Sequence, residues 1–351
     1  MTSRPDGVAT HALSAPEFDD ARWFPVDLNV PHCEYGFLAL GADVLERSTF
    51  LDNRIEAELH EARTVGVDVA AQAAMPFARV AWLFHTSFCC STLLARALHV
   101  PPYQVVLKEP LVLRRLGDAR HAQWPVAGLL EPTVRLLARP WDPSGAVVIK
   151  PTHAALNIAV DLLEASPDSR GVILTSSLGD FLVSNLKKTA ETQAKTPALA
   201  ERALQAGTFH SRLPAAALAP PDLLAAAGLQ WAAQRELCAD ILAAVGPHRL
   251  RIIDAATLLA DLPGVAWQCA QWLQLAVPQD MLVARAGDVS QRNAKAVASE
   301  YDARRRAADV AMIKARCDSQ ISAARQWFDR FVLPAMRAEA LTIAGTSCTD
   351  L

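Results

Sequence analysis

The sequence predicts an α/β fold in which helices cover both faces of a mainly parallel sheet. From residue 75 onward, short continuous apolar runs alternate with helix-length amphipathic segments. Such runs are typical of strands buried on both faces, and their alternation with helices is typical of a three-layer α/β/α arrangement. The predicted strands are Val80–Phe84, Val105–Leu107, Ala146–Ile149, Val172–Leu174 and Leu250–Ile253.

The predicted helices lie between these strands and in the C-terminal tail. Apolar residues recur with the 3.6-residue spacing of a helix in four segments, namely Ser91–His99, Ala154–Ala165, Asp180–Ala190 and Asp222–Val245. The tail from Ser319 to Ala340 is a further helix, which we expect to be kinked or split at Pro334 because proline cannot donate a backbone hydrogen bond.

Residues 1–75 are predicted to form a small N-terminal extension of a main domain that spans residues 76–351. Met1–Asp20 is polar and rich in turn formers, Tyr35–Leu40 alternates like a strand, and Ile55–Arg63 resembles the start of a helix. The extension carries no evident site chemistry, so we expect it to pack on the main domain.

Composition excludes several classes of protein. The 351 residues are 52% hydrophobic and 20% charged, which excludes a disordered or collagen-like chain. A net charge of -3 gives no general reason to bind nucleic acid. We expect no membrane span, because no apolar run is long enough, and no secretory leader. Seven cysteines without a CxxC pair predict a cytoplasmic protein, and no metal is expected because zinc-type spacings are absent.

The loop after the first predicted strand has the pattern of a phosphate-binding loop. Small residues follow His85 and lead into an amphipathic helix, an arrangement that points backbone N–H groups at an anion. The nucleotide-kinase pattern G-x-x-x-x-G-K-[ST] fails, because His85 and Cys90 occupy its glycine positions and Ser91 its lysine position. The alternative is an ordinary capped helix after a buried strand. The candidate anion-binding residues are Ser87, Cys89, Cys90, Ser91 and Thr92.

Other polar residues follow the third and fourth strands, where ligands bind in open parallel sheets. Lys150 is predicted to contact a ligand, because an unpaired lysine in a cleft is costly. His153 is either a general base or a cap of the helix that begins near Ala154.

Taken in order, these segments resemble the sulfotransferases, a P-loop family that lacks the loop lysine. Ser91-Thr92-Leu93-Leu94 is similar to the loop end of bacterial members, and Lys150-Pro151-Thr152-His153 to the family's K-T-H apart from the proline. Asp180 and Ser184 have the offsets of its 3′-phosphate site, counted from position 176. Lys108-Glu109-Pro110 and the stretch from Leu250 to Leu275 also agree, so the resemblance covers about residues 80 to 275.

The resemblance implies transfer of a sulfuryl group from PAPS (3′-phosphoadenylyl sulfate) to a hydroxyl or amine of a small-molecule acceptor. Ser91 and Thr92 would hold the phosphosulfate, Lys150 would neutralise the transferring oxygens, and His153 would be the general base. The neutral imidazole would be the active form, so activity should fall below the pKa of His153, which is near 6.5 when unperturbed. The 3′-phosphate would be bound by Ser184, with Ser176 at the site of a family arginine and Arg292 or Lys295 nearby.

Two positions depart from the family pattern. Phe88 and Ser176 stand where many relatives carry a cation, so the missing charge would have to come from elsewhere. The candidates are Arg96, Lys187, Lys188, Arg292 and Lys295. The alternative function is a catalytically silent, sulfotransferase-like protein that binds nucleotides or a partner, and a divergent kinase is disfavoured by the missing lysine. The acceptor and the oligomeric state stay open.

Overall fold

Two sheets are formed by the strands of this computed structural model, which describes residues 15–73, 75–291 and 303–342. A three-stranded antiparallel sheet contains β1 (Trp23–Asn29), β2 (Glu34–Ala39) and β3 (Ala62–Gly66) in that order. A five-stranded parallel sheet has the order β5-β6-β4-β7-β8. Its strands are β4 (Val80–His85), β5 (Gln104–Lys108), β6 (Ala146–Lys150), β7 (Arg170–Thr175) and β8 (Leu250–Asp254).

Helices connect and flank these strands. Up to the fourth parallel strand they are α1 (Ala42–Arg47), α2 (Val67–Gln72), α3 (Ser91–Ala97), α4 (Leu111–His121), α5 (Ala127–Leu137) and α6 (Ala159–Glu164). Beyond it they are α7 (Leu178–Leu186), α8 (Ala190–Ala194), α9 (Thr196–Gln205), α10 (Leu223–Val245), α11 (Ala255–Ala260), α12 (Leu262–Trp272), α13 (Gln279–Ser290), α14 (Ala303–Arg316), α15 (Asp318–Phe331) and α16 (Ala338–Thr342). Short 3-10 helices span Ala15–Asp19, Ala57–Leu59, His153–Ile158, Phe209–Arg212, Ala215–Ala217 and Leu333–Ala335.

The parallel sheet is buried between two apolar layers, as the continuous apolar strand sequences predict. Alternate strand residues enter two different clusters, because side chains alternate between the faces of a sheet. Trp82 and Phe84 pack with α4, α5, α6, α7 and α10, whereas Ala81 and Leu83 pack with α3, α12 and α13. The predicted α/β class and its parallel sheet are confirmed.

Each strand of the parallel sheet ends on a polar or charged residue. The last residues of β4 to β8 are His85, Lys108, Lys150, Thr175 and Asp254. The helix that follows β4 lies on one face, whereas the helices that follow β6 and β7 lie on the other. The chain therefore turns in opposite directions on leaving neighbouring strands, which opens a crevice at this edge of the sheet.

The N-terminal sheet packs against the main body through a shared core. Tyr35 of β2 is buried, and its hydroxyl lies 2.8 Å from the Thr133 hydroxyl of α5. The Arg139 guanidinium is also buried and donates to the carbonyls of Phe18, Asp20 and Trp23. The division of the chain at residue 75 stays a prediction.

Three sequence expectations for individual elements differ from the structure. Ile55–Arg63 is not a helix start, because only the single turn Ala57–Leu59 forms before β-branched Thr64 and Val65 pair with β2. The segment Asp180–Ala190 divides into α7 and α8, because Thr189 caps a new helix by accepting from the Thr192 N–H. The segment Ala154–Ala165 begins as the 3-10 turn His153–Ile158 and continues as α6. The tail divides at Pro334 as predicted.

Candidate functional site

The most strongly coupled polar cluster lies at the ends of β4, β5 and β6. Lys150, the last residue of β6, has no exposed surface. Its ammonium donates to Nε2 of His85 at 3.0 Å and to the Glu109 carboxylate, which follows β5. A buried charge is tolerated when it is paired and hydrogen-bonded, and both conditions hold here.

His85 accepts from the lysine as a neutral imidazole. Its Nδ1 lies 2.9 Å from the Thr86 carbonyl oxygen, which can only accept, so Nδ1 carries the hydrogen and Nε2 is the acceptor. Burial and then the charge of Lys150 lower the pKa of His85, which keeps the ring neutral. Neutral His85 therefore helps to hold the Lys150 ammonium group in place. It does not compete with Lys150 for the negative charge of Glu109.

Glu109 is the anion of the cluster. Burial would raise its pKa, but the charge of Lys150 outweighs burial and holds the pKa well below its usual range. The residue also has a left-handed backbone with φ 55°, a conformation that costs about 1 kcal/mol or more outside glycine. The Glu109 carboxylate therefore stays in contact with Lys150 although the backbone of Glu109 is strained.

His153 lies beside this cluster, and its ring centroid is 6.1 Å from that of His85. Its Nε2 is buried and has no hydrogen-bond partner, and the residue begins a 3-10 turn that has no side-chain cap. His153 therefore does not cap a helix. Burial is the main cause that lowers the pKa of His153, to about 3 from the unperturbed value near 6.5.

A small cavity borders His153 between the turn that it begins and α9 and α10. Its volume is ≈ 20 Å³, which is room for about one water molecule. Among its lining residues, Asn157 and Arg202 also have buried polar atoms without partners, namely Oδ1 and Nε. The cavity beside His153 therefore has room for a water molecule but not for a whole acceptor molecule.

The loop between β4 and α3 has a strained backbone. Phe88 and Cys90 have φ of 58° and 63°, in the left-handed region that non-glycine residues seldom adopt. Cys90 occupies the N-cap position of α3 without a side-chain cap, so Ser91 and Thr92 do not cap this helix. Both hydroxyl residues are buried at its first turn. The alternative of an ordinary side-chain-capped helix is therefore wrong.

Ser87 is held from behind by α10. Its backbone N–H donates to Gln234 Oε1 at 3.0 Å, and its hydroxyl accepts from the amides of Gln230 and Gln234 at 3.0 and 3.1 Å. These contacts fix the loop on the helix. They also direct the N–H and the hydroxyl of Ser87 to α10.

Cys89, the first of the two loop cysteines, differs in its surroundings from a reactive thiol. Burial raises the pKa of Cys89 to about 12, and its thiol donates to the Thr86 carbonyl at 3.1 Å. A thiol of such high pKa is not a nucleophile near neutral pH. Cys89 can therefore contribute to binding only through the shape and backbone of the loop.

Two buried hydroxyl groups near the loop have no hydrogen-bond partner. They are Thr86 Oγ1, which follows β4, and Ser176 Oγ, which follows the neighbouring strand β7. Unpaired hydroxyls in a folded interior cost free energy and call for a partner such as a ligand oxygen. Ser184 lies half-buried on α7, whereas Arg292 and Lys295 lie outside the described residues.

Several residues of the site were not singled out by the sequence. Phe50, from the N-terminal segment, places its ring centroid 5.6 Å from the Lys150 ammonium. Arg235, buried in α10, donates to Thr175 Oγ1 at 3.0 Å. Arg235, Gln230 and Gln234 could have been noticed as polar residues in an otherwise apolar helix. Glu109 also has a sequence signal, because it follows a predicted strand. Phe50 offers no comparable signal, because its contact depends on the tertiary fold.

The described part of the chain has no group of three or more His, Cys, Asp or Glu side chains placed to hold a metal ion. Within the same ranges, no helix is both long and apolar enough to cross a membrane.

No protein-family model matches this sequence, and no curated protein matches it. Among solved structures, the chain is similar to a sulfotransferase from Alicyclobacillus acidocaldarius, with 17% identity and a TM-score of 0.39 over 71% of this chain and 99% of that one. It is also similar to a sulfotransferase domain from the curacin biosynthetic pathway, with 13% identity and a TM-score of 0.41 over 76% and 96%. At these sequence identities and TM-scores, the similarity assigns neither an activity nor any site residue to this chain.

Proposed function

We propose that the protein transfers a sulfuryl group from PAPS to a hydroxyl or amine of a small-molecule acceptor. The observation that carries this proposal is the buried cluster of Lys150, Glu109 and His85 beside His153, at the strand ends that border the loop after β4. Sulfuryl transfer depends mainly on positioned charge and little on covalent chemistry, which suits a site built around the buried Lys150.

Lys150 is the cation of the proposed transfer. Its position between His85 and Glu109 fixes the ammonium group, so little reorganisation is needed when negative charge develops near it. The paired Glu109 also limits the net charge of the cluster, so donor binding needs cations from outside it. The orphaned hydroxyls of Thr86 and Ser176 support the proposal, because a phosphate or sulfate oxygen can accept from both.

His153 is the base that we assign to the acceptor side. In the transfer, the acceptor oxygen or nitrogen bonds to sulfur, the bond between sulfur and the phosphate oxygen breaks, and the acceptor proton passes to Nε2 of His153. That atom is unpartnered, as a base must be before its substrate arrives. Burial is the main cause of the low pKa of His153, and an anion bound close to Lys150 would offset only the smaller contribution of that cation.

A second candidate function is binding of the nucleotide without transfer. The low pKa of His153, about 3, favours it, because a base works best when its pKa lies near the working pH. Such a protein would bind 3′,5′-ADP (PAP) through the same loop and would have no turnover.

Calorimetric titration with PAP and with ATP tests both functions. We expect PAP to bind and ATP to bind at least about 10-fold more weakly, a difference of about 1.4 kcal/mol. Acceptor-dependent formation of PAP from PAPS then separates the enzyme from the silent protein. No binding of PAP would contradict both, and binding of PAP without turnover over a broad acceptor panel would favour the second.

A further inference from the structure

A segment of the N-terminal extension runs along the strand-end cluster. Leu51 is fully buried, its N–H donates to the Lys108 carbonyl at 2.6 Å, and its carbonyl accepts from the Leu111 N–H at 3.0 Å. These two backbone hydrogen bonds bracket Glu109, which lies between Lys108 and Leu111 in the chain. The backbone beside Leu51 is therefore fixed close to the pair of Glu109 and Lys150.

The residue before Leu51 is Phe50, and its ring contacts two cations. The ring centroid lies 5.6 Å from the Lys150 ammonium group and 4.1 Å from the guanidinium carbon of Arg54. Exposure rises along this series, because Lys150 has no exposed surface, Phe50 is 9% exposed and Arg54 is exposed. The series thus leads from the buried ammonium group to the protein surface by way of the Phe50 ring.

Arg54 is held beside the ring by its own segment. Its backbone N–H and its Nε both donate to Asp52 Oδ1, at 3.2 and 2.7 Å. The hydrogen bond with Asp52 is the main cause that raises the pKa of Arg54, and the charge of Glu109 adds to it. Arg54 is therefore paired within the segment, and Phe50 brings that segment into contact with Lys150.

The contact of Phe50 with Lys150 differs in kind from the other contacts of the cluster. His85 and Glu109 accept hydrogen bonds from the ammonium group, whereas an aromatic ring presents an apolar surface with an attractive face. A buried charge acts more strongly on a developing negative charge when water is excluded, because the local dielectric constant is low. A ring at this position therefore favours the task that the proposed function gives to Lys150.

We propose that Phe50 is a positioning residue for Lys150, whose ring keeps water from the ammonium group and holds that group against His85 and Glu109. The ring takes no part in making or breaking a bond. The effect of Phe50 on the rate rests on the proposed function, whereas its covering of Lys150 is tested without any donor. The N-terminal extension, in which the sequence indicates no site chemistry, thus completes the site.

Trace acetylation with acetic anhydride, followed by mass spectrometry, measures how accessible each lysine is. In wild type, Lys150 should react far more slowly than the exposed Lys187. Phe50→Leu should raise the rate at Lys150 about 2- to 30-fold, the factor that corresponds to the strength of a cation–π contact. Arg54→Gln is the matched control, because it removes the outer cation and keeps the ring, and it should leave the rate at Lys150 unchanged.

Lys108 distinguishes loss of the covering ring from loss of structure. It is also buried at this edge of the sheet, and its ammonium group donates to the Leu45 carbonyl of the same extension at 2.5 Å. Detachment of the extension would therefore raise the rate at Lys108 together with that at Lys150. We expect a rise at Lys150 alone in Phe50→Leu. A parallel rise at both lysines, or no rise at Lys150, would contradict the covering role of the ring.

The second readout is the rate of PAP formation from PAPS. Phe50→Leu should lower this rate about 10-fold and change the Kd for PAP less than about 2-fold, because the loss arises in the transition state. Phe50→Tyr keeps the ring and should retain most of the rate. If wild type turns over and Phe50→Leu is equally fast, the role of Phe50 is wrong and the proposed function stands. If wild type forms no PAP, the proposed function fails, and the acetylation rates still decide whether Phe50 covers Lys150.

Discussion

At the scale of single residues, the site depends on how burial acts on its charged groups. Lys150 stays buried because Glu109 and His85 satisfy its ammonium group, and the same burial keeps both histidines neutral. Removing one member would leave a buried charge unpaired, which typically costs about 3–5 kcal/mol. The cluster is therefore a structural element of the sheet edge as well as a candidate site.

We predict that His153 makes the protein less stable in mild acid. The pKa of His153 is about 3 in the folded state against about 6.5 when unfolded. Between these values the unfolded chain binds more protons, so the free energy of unfolding falls as pH drops below about 6.5. From pH 7.5 to pH 5 the loss from this residue is about 2 kcal/mol.

Urea unfolding of wild type and His153→Gln over this pH range measures the effect. The variant should show a flatter pH dependence by about 2 kcal/mol, while the contribution of His85 remains. Identical slopes for the two proteins would show that His153 is not buried as described.

We predict that Ser176→Ala weakens the binding of PAP without lowering the free energy of unfolding. The Ser176 hydroxyl is buried and unpartnered, so its removal should leave the free energy of unfolding unchanged or raise it by up to about 1 kcal/mol. Affinity for PAP should fall, because a donor to a ligand oxygen is lost. Unchanged affinity would remove Ser176 from the site.

Ser177→Ala is the matched control for this variant. The Ser177 hydroxyl accepts from the Asp180 N–H at 3.1 Å and caps α7. Loss of the cap should lower stability by about 1 kcal/mol and leave PAP affinity unchanged, the reverse of the result for Ser176→Ala.

At the scale of elements, α10 organises the site from the other side of the loop. Gln230 and Gln234 hold Ser87, and Arg235 binds the end of β7 and the carbonyls of Ala340 and Leu341. One buried helix thus connects the loop, the sheet edge and the C-terminal tail. Its polar side chains lie within an otherwise apolar 23-residue helix.

We predict that Gln234→Leu destabilises the protein by about 1–3 kcal/mol and weakens PAP binding, because the buried Ser87 N–H loses its acceptor. Gln230→Leu leaves that hydrogen bond intact and should have a smaller effect on both. Calorimetric titration with PAP measures the affinity of the two variants, and chemical denaturation measures their free energy of unfolding. Equal effects would mean that the Ser87 N–H does not depend on Gln234.

The sequence predicted a strand or helix correctly where its local residue pattern agrees with its environment in the fold. The five parallel strands could be predicted because runs such as Val172–Leu174 are apolar on both faces. The helix start expected at Ile55–Arg63 was wrong, because pairing of Thr64 and Val65 with β2 overrides local propensity. Lys150 and His153 could be noticed as polar groups at a strand end. The contacts of Lys150 with Glu109 and Phe50 could not be predicted, because these two residues come from distant segments that only the fold brings together.

At the scale of the whole molecule, the N-terminal sheet and the main body share one core. Tyr35, Phe24 and Phe37 belong to the same buried cluster as Leu116 of α4 and Val134 of α5. A shared core predicts cooperative unfolding in one transition. The N-terminal segment also brings Phe50 to the site, so its packing and the function of the site are connected.

We predict that Arg139→Met lowers stability by about 3 kcal/mol or more. Its guanidinium satisfies the buried carbonyls of Phe18, Asp20 and Trp23, which the variant leaves unpaired. Removal of the exposed pair between Arg22 and Asp20 by Arg22→Met should leave stability nearly unchanged. Denaturation followed by tryptophan fluorescence and by circular dichroism should give one coincident transition in wild type. Two separated transitions would contradict a shared core.

The central claim is that the strand-end cluster and His153 perform sulfuryl transfer. The most direct measurement is formation of PAP from PAPS with a panel of phenol and amine acceptors, for wild type and His153→Ala. We predict acceptor-dependent PAP formation by wild type, and a rate about 10²–10⁴-fold lower for His153→Ala with unchanged affinity for PAP. Wild-type turnover in the variant, or no turnover by wild type with any acceptor, would contradict the claim.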